Sequence, residues 1–284
     1  MVHAMRFQSM FLSDAVMSSR PLYCQLKPDL EECLLLAMSF VMALTGVITF
    51  MVLTFTQLTA SYGRYADDSI LNMKLNSRVA WLLQELPSFA IPLLLVSWLP
   101  GSQMSGFPNQ IIFAFFSTHY FHRALIFPLL MRAGKGTPVH LFLMAVMFCS
   151  YNGFLQGRYH MEYAVYTEYH IFSPLSLLGI VMFVLGVTIN VHSDSILRDL
   201  RKPGETGYKI PHGGMFELVS GANYFGEILE WFGYACLTKS VPGAAFALFT
   251  ACNIGPRAIH HHKWYKEKFP NYPSERKALI PFLL

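Results

Sequence analysis

Residues 33–55 read CLLLAMSFVMALTGVITFMVLTF and contain no charged side chain. As an α-helix rising about 1.5 Å per residue, this run is long enough to cross the roughly 30 Å hydrocarbon layer of a bilayer. Lipid offers the backbone no hydrogen-bond partners, so a spanning segment must satisfy its own, and a run of this length does so as a helix. The rest of the chain agrees, with 54% of its 284 residues hydrophobic and 13% charged, against about 25% charged in soluble domains. Further apolar stretches at about 79–98, 110–131, 139–155, 172–189, 221–237 and 241–259 give an expected all-α, polytopic membrane fold of seven transmembrane helices. Residues 1–30 are read as an N-terminal extension in which Pro21 and Pro28 oppose one continuous helix, and 31–284 as the membrane domain. The extension lacks a clean apolar core before a small-residue cleavage site, so the first span is expected to target the chain.

The charge balance excludes other classes. A formal net charge of +4 is modest, and Lys and Arg lie near segment ends rather than in a block, so no nucleic-acid partner is expected. The basic residues concentrate in the connectors after spans one, three and five and in the C-terminal tail, which the positive-inside rule places in the cytosol. The five cysteines are odd in number, widely spaced and mostly within apolar runs, so they read as small core residues.

Polar groups at membrane depth mark the interior. In GANYFGEILEWFGY, residues 221–234, a helix places Asn223, Glu227, Glu230 and Tyr234 on one stripe at i, i+4, i+7 and i+11. Carboxylates at that depth cost about 2.5–3.5 kcal/mol on insertion scales, so the stripe is read as the floor of a binding site. WLLQELPSF in span two carries Gln84 and Glu85 before Pro87, which is expected to interrupt the helix. Desolvation would keep such a glutamate protonated.

THYFHRALIF in span three puts His119, His122 and Arg123 near one face; without a third ligand they read as polar core residues, and no metal is expected. Span five ends in NVHSDSILRDLRKPGETGYKIP, where Asn190, Asp194 and Arg198 recur every four residues. Any one of these groups is an ordinary satisfied polar residue, but polar faces on five spans together imply an internal cavity. The connector SYGRYADDS and the tail HHHKWYKEKFPNYPSERKALIPFLL read as a solvated loop and a basic, aromatic membrane-surface segment. There is no GxGxxG after a strand-like run, no GxxxxGK[ST] and no HExxH, so a dinucleotide would have to bind between membrane helices.

The strings WLLQELPSF, HYFHR, NVHSDSILRDLRKPGETGYKIP, GGMFELVSGANYFGEILEW, HHHKWY and RKALIPFLL, in this order over residues 60–284, resemble the steroid 5α-reductases. TGYKIP and ANYFGEI bring the chain nearer the type 1 isozyme. The resemblance implies a monomeric endoplasmic-reticulum enzyme, cytosolic at its C-terminus and in contact with lipid, that holds cofactor and substrate inside the bundle. The implied activity is NADPH-dependent reduction of the 4,5 double bond of a 3-oxo-4-ene steroid such as testosterone or progesterone. It assigns Glu85 and Tyr120 to the steroid carbonyl and Trp81, Gln84 and Trp231 to the steroid pocket. Implied cofactor contacts are Asn190, Asp194, Arg201 and Lys209, mainly within 190–284, with Asn223, Glu227, His261 and Tyr265. Tyr62, Arg64 and Lys135 match loop residues that close over the nucleotide.

Two departures are visible: the N-terminal extension is long, and Lys209 stands where some members have Arg, whose fork suits phosphate better. A reductase of polyprenol-like or enoyl lipids and a non-catalytic seven-helix receptor or transporter are the alternatives. A transporter would be expected to show an inverted repeat or a coupling-ion site, and neither is seen.

Overall fold

The computed structural model describes residues 29–56, 73–132, 136–201, 205 and 207–284. Tyr62, Arg64 and Lys135 lie outside the described residues. Seven principal helices stand where seven spans were expected: α1 Leu30–Phe55, α2 Ser77–Trp98, α3 Phe107–Phe121, α4 Val139–Arg158, α5 Pro174–Asp199, α6 Ala222–Thr238 and α7 Val241–Lys268. Four are long and apolar enough to cross a bilayer: α1, α2, α4 with its π-helical extension to Tyr163, and α5. The other three miss that composition for a chemical reason: α3, which continues through a π-helical turn at His122–Ile126 and a last turn at Phe127–Leu130, and the 17-residue α6 carry His119, Arg123, Glu227 and Glu230, while α7 devotes its second half to histidines and lysines. The outer faces bear exposed Phe40, Leu44, Ile48, Met147, Leu178 and Val181, as lipid rather than water requires.

Side-chain caps open several of these helices. Asp29 accepts from Glu31 N, Asn76 from Arg78 N, and Ser240 from Gly243 N, each satisfying an amide that the first turn leaves free. α2 is not interrupted: it runs through both Pro87 and Pro92. A membrane helix survives such residues when a neighbour packs on the altered backbone, and here Gly153 of α4 brings its backbone against Pro87, where a Cβ would lie 2.9 Å from the Pro87 carbonyl oxygen. Ser88 also donates to the Cys149 carbonyl at 2.9 Å. The antiparallel pair β1 Lys74–Leu75 and β2 Thr137–Pro138 ties the approach to α2 to the start of α4.

The closest helix pair is α5 with α6. Gly179 and Gly186 of α5 face Gly233 and Gly226 of α6, and a Cβ on any of the four would lie 2.3–2.5 Å from backbone nitrogen of the other helix. Only glycine allows that approach, and it sets Asn190 and Asp194 beside Asn223. α1 is held to the bundle by a two-point ion pair, in which Arg158 Nε and Nη2 reach Glu31 at 2.6 and 2.8 Å.

The tail corrects an expectation. The helix continues through HHHKWYKEK to Lys268, and the remaining residues fold back rather than trailing along the membrane surface. Lys277 N donates to Leu218 O and Ser220 N to Lys277 O. Arg276, 2% exposed, donates to the Pro211 carbonyl. In the loop this tail covers, the Gly213 N–H donates to Glu217 and holds that carboxyl below its usual pKa.

Candidate functional site

A cavity of about 360 Å³ opens between α2, α3, α4, α6 and α7, within the size range of small-molecule sites. Its walls differ in chemistry. Leu141, Met144, Ala145 and Phe148 make an apolar wall on α4, while α2 and α3 contribute Gln84, Glu85, His119, Tyr120 and Arg123. Along α7 the lining residues Phe246, Phe249, Thr250, Asn253 and Arg257 recur at helical spacing, so one stripe about 16 Å long changes from aromatic to cationic.

Glu85 and Tyr120, expected to act together, both line this cavity, as do Trp81 and Gln84. Glu85 is weakly held: Gln84 Nε2 donates to its Oε1 at 3.3 Å and the Cys149 thiol to its Oε2 at 3.6 Å. Both are neutral donors, so much of the carboxyl's bonding capacity is left for a ligand. Tyr120 is 4% exposed, and its hydroxyl oxygen accepts a hydrogen bond from Asn152 Nδ2 at 3.2 Å.

Arg123 gathers the groups expected around a cofactor. It lies in a π-helical turn, His122–Ile126, that widens the end of α3; such turns redirect side chains and recur at functional sites. Its Nη1 donates to Asp194 at 2.9 Å, its Nη2 lies 3.7 Å from Glu227, and its guanidinium sits over the rings of Trp81 and Phe127 at 4.8 and 4.6 Å. Asn223 donates to the other Asp194 oxygen at 3.3 Å, and Asn190 donates to the Asn223 carbonyl at 2.9 Å. Four of the expected cofactor residues thus form one cluster on α5 and α6, with Glu227 on the cavity wall. Removing the cation would leave two carboxylates facing one another in a largely buried site. Arg123→Ala should therefore lower the thermal unfolding midpoint in detergent, with about 3–5 kcal/mol at stake. Adding Asp194→Asn should recover part of the loss, and a double-mutant cycle of melting temperatures checks it.

The α6 stripe does not form a single floor. Only Glu227 of its four residues lines the cavity. Glu230, 1% exposed, turns to α3, with Oε1 2.5 Å from His119 Nδ1, and Tyr234 is buried against Phe116 and Trp231. Trp231 is also behind the wall rather than on it: 1% exposed, its ring centroid is 5.9 Å from Tyr120 and 4.5 Å from His119, so it backs the residues that line the cavity.

The remaining expected contacts are more distant. His261 lies beside the cavity residue Tyr224, ring to ring at 5.6 Å. Tyr265, 3% exposed, stacks on Tyr272 with planes 11° apart. Arg201 lies over Tyr208, and Lys209 pairs with Glu205 at 2.5 Å, both on the exposed side of the α5 end.

Sequence reasoning passed over several lining residues. Arg257 and Asn253 are polar groups within an apolar run, the very signal applied to the other spans. Among the described residues, Arg257 Nε and Asn253 Oδ1 are buried without a hydrogen-bond partner, as groups that await a polar ligand would be. Cys149 gave no local signal, and Asn152, an amide behind the cavity wall, gave no sign of its partner, because α4 meets α2 and α3 through contacts distant in sequence.

A bundle with this cavity has clear relatives. The family model described as 3-oxo-5-alpha-steroid 4-dehydrogenase matches residues 135–284. The chain is 48% identical over 256 residues to 3-oxo-5-alpha-steroid 4-dehydrogenase 1 of Bos taurus, covering 89% of this chain and 98% of that protein. The type 1 protein of Homo sapiens is 48% identical over 253 residues, 89% of this chain and 96% of its own. The type 2 protein of Rattus norvegicus is 48% identical over 225 residues, 79% and 88% of the two chains. Similarity of this extent reaches across the Glu85 and Tyr120 helices as well as the α5–α7 cluster, and the chain belongs to the 3-oxo-5-alpha-steroid 4-dehydrogenase family.

Proposed function

We propose that this chain reduces the 4,5 double bond of a 3-oxo-4-ene steroid to the 5α-reduced product, using NADPH, in the endoplasmic reticulum membrane. The observation that carries the reading is one cavity with an apolar wall on α4 and an acid and a phenol, Glu85 and Tyr120, on its polar side. A steroid has the same asymmetry, a rigid apolar body with a carbonyl oxygen at one end.

The residues present fit a nicotinamide dinucleotide. The amide oxygen of Asn253 and Nε of Arg257 are unpartnered beside Glu227. Asn190, Asp194 and Asn223 stand behind Glu227, and His261, Tyr265, Arg201 and Lys209 continue from α5 and α7 toward the basic side that charge distribution assigns to the cytosol. Tyr62, Arg64 and Lys135 belong to the same proposed set. When bound, NADPH supplies the hydride that reaches carbon 5.

The protein's part is electrostatic. As the enone accepts hydride at carbon 5, negative charge gathers on the 3-oxo oxygen, and donors fixed there in advance lower the barrier. Glu85 and Tyr120 are those donors, a part that a carboxyl can play only as the acid. A carboxylic acid kept neutral to donate to a developing enolate has precedent in ketosteroid isomerase. Phe148, Phe246 and Phe249 keep water from the reacting atoms. Glu227, on the cavity wall, would hold the carboxamide of the cofactor as a hydrogen-bond acceptor.

Purified protein incubated with testosterone and NADPH should yield 5α-dihydrotestosterone with one NADPH consumed per steroid reduced, read by mass spectrometry and absorbance. NADPH consumption with an enoyl or polyprenol-like lipid but no steroid would move the assignment to a related lipid reductase. Steroid binding with no NADPH consumption would make the chain a binding protein.

A further inference from the structure

Tyr120 is held by a buried polar relay that begins far from the cavity. Gln156 of α4 is 1% exposed, and its Nε2 donates to the Pro242 carbonyl at 2.9 Å and to Asn152 Oδ1 at 3.3 Å. Asn152, one helical turn earlier, is 0% exposed and gives its own Nδ2 to the Tyr120 hydroxyl oxygen at 3.2 Å.

The direction of this chain of bonds is fixed by its far end. A backbone carbonyl only accepts, so Gln156 must present its NH₂ to Pro242, and the second proton of that group faces Asn152. Gln156 keeps this orientation although its Oε1 is left buried without a partner. Asn152 therefore has its oxygen occupied by Gln156 and can offer Tyr120 only a donor. Ser88 also stands beside the phenol; with its proton committed to the Cys149 carbonyl at 2.9 Å, its oxygen can only accept and is the neighbour that competes with the steroid ketone for the phenol proton.

We propose that Asn152, oriented by Gln156, is a positioning residue that fills an acceptor site on the Tyr120 hydroxyl and thereby leaves the phenol proton to the steroid ketone. A hydroxyl that accepts one hydrogen bond is polarised into a better donor of another. An asparagine facing the other way would present its oxygen and draw the phenol proton from the substrate. The inference rests on the reading of Tyr120 as a carbonyl-holding group, and it deepens that reading by naming what sets the direction of the bond.

The test compares binding of a 3-oxo-4-ene steroid with its 3-deoxy analogue, which lacks the oxygen but keeps the ring system. Affinities are measured on the full-length protein in detergent with NADP⁺ present. The parent protein should prefer the 3-oxo steroid. Asn152→Leu, which keeps the volume without the donor, should reduce that preference about fivefold to tenfold, as loss of one hydrogen bond predicts, and leave the 3-deoxy affinity unchanged. Gln156→Met, which frees the Asn152 amide to turn, should reduce it in the same direction and serves if Asn152→Leu does not fold. A preference unchanged in the variants, or a loss of affinity equal for both steroids, overturns the relay. A parent protein without the preference would instead overturn the carbonyl-holding role of Glu85 and Tyr120.

Discussion

Glu85→Ala is expected to fold normally and to lose about a hundredfold to a thousandfold in turnover of a 3-oxo-4-ene steroid, the cost of removing one fixed donor from an oxyanion site. The fold should tolerate it because, among the described residues, Glu85 bonds only to Gln84 at 3.3 Å and to a thiol at 3.6 Å. Neither is a strong tie: the first lies within α2, and the second, from Cys149 of α4, is a weak thiol donor at long range. Glu85→Gln keeps shape and a neutral N–H donor, so it should fall between the parent and the alanine variant. Single-turnover rates at saturating NADPH isolate the chemical step from product release. An alanine variant that reduces steroid at the parental rate would show that Glu85 is not the electrophilic group, and attention would pass to Tyr120 alone. The ordering is informative in itself: if Gln and Ala are equally impaired, the proton that only the carboxyl can carry is needed, rather than donation as such.

Why Glu85 stands out in the sequence, while Tyr120 enters through the family resemblance and the partners of Asn152 and Glu230 stay hidden, follows from what a membrane sequence displays. An ionisable residue inside an apolar run costs free energy unless it is met by a partner, so Glu85, Arg123, Glu227 and Arg257 stand out against leucine and phenylalanine. Helical periodicity then tells which residues share a side. It does not tell which neighbour that side meets. Glu227 and Glu230 are three residues apart on one stripe of α6, yet one lines the cavity and the other is paired with His119. The π turn at His122–Ile126 redirects Arg123 toward Asp194, and nothing in HRALI announces it. Pro87 reads locally as a helix breaker; α2 survives because Gly153, distant in sequence, lets α4 pack directly on the Pro87 backbone. Asn152 lies one residue before that glycine, so the same close approach accompanies the amide that reaches Tyr120.

Gly186→Leu should be the most damaging single substitution in the bundle. A Cβ at Gly186 would lie 2.3 Å from Glu230 N, 2.6 Å from Glu230 Cα and 2.6 Å from the Gly226 carbonyl oxygen. These are all backbone atoms, so no side-chain rotation relieves the clash and α5 must move away from α6. Overpacking a close contact costs about 1–3 kcal/mol and at times more, and here the displacement also strains the Asn190 bond to Asn223 at 2.9 Å and the Asn223 bond to Asp194 at 3.3 Å. Loss of folded protein, or a lower melting temperature accompanied by weakened NADPH binding, is the expected result in detergent-solubilised samples. Gly186→Ala should show a milder form of it, because its single added carbon is still inside contact distance. Gly207 supplies the control: it is exposed and a Cβ there meets nothing within 4 Å among the described residues, so Gly207→Ala should melt with the parent. Should Gly186→Leu melt with the parent and retain its cofactor affinity, the α5–α6 contact is not what brings the Asn190–Asp194 edge onto Asn223 and Glu227, and the cofactor cluster would have to be assembled by Arg123 alone.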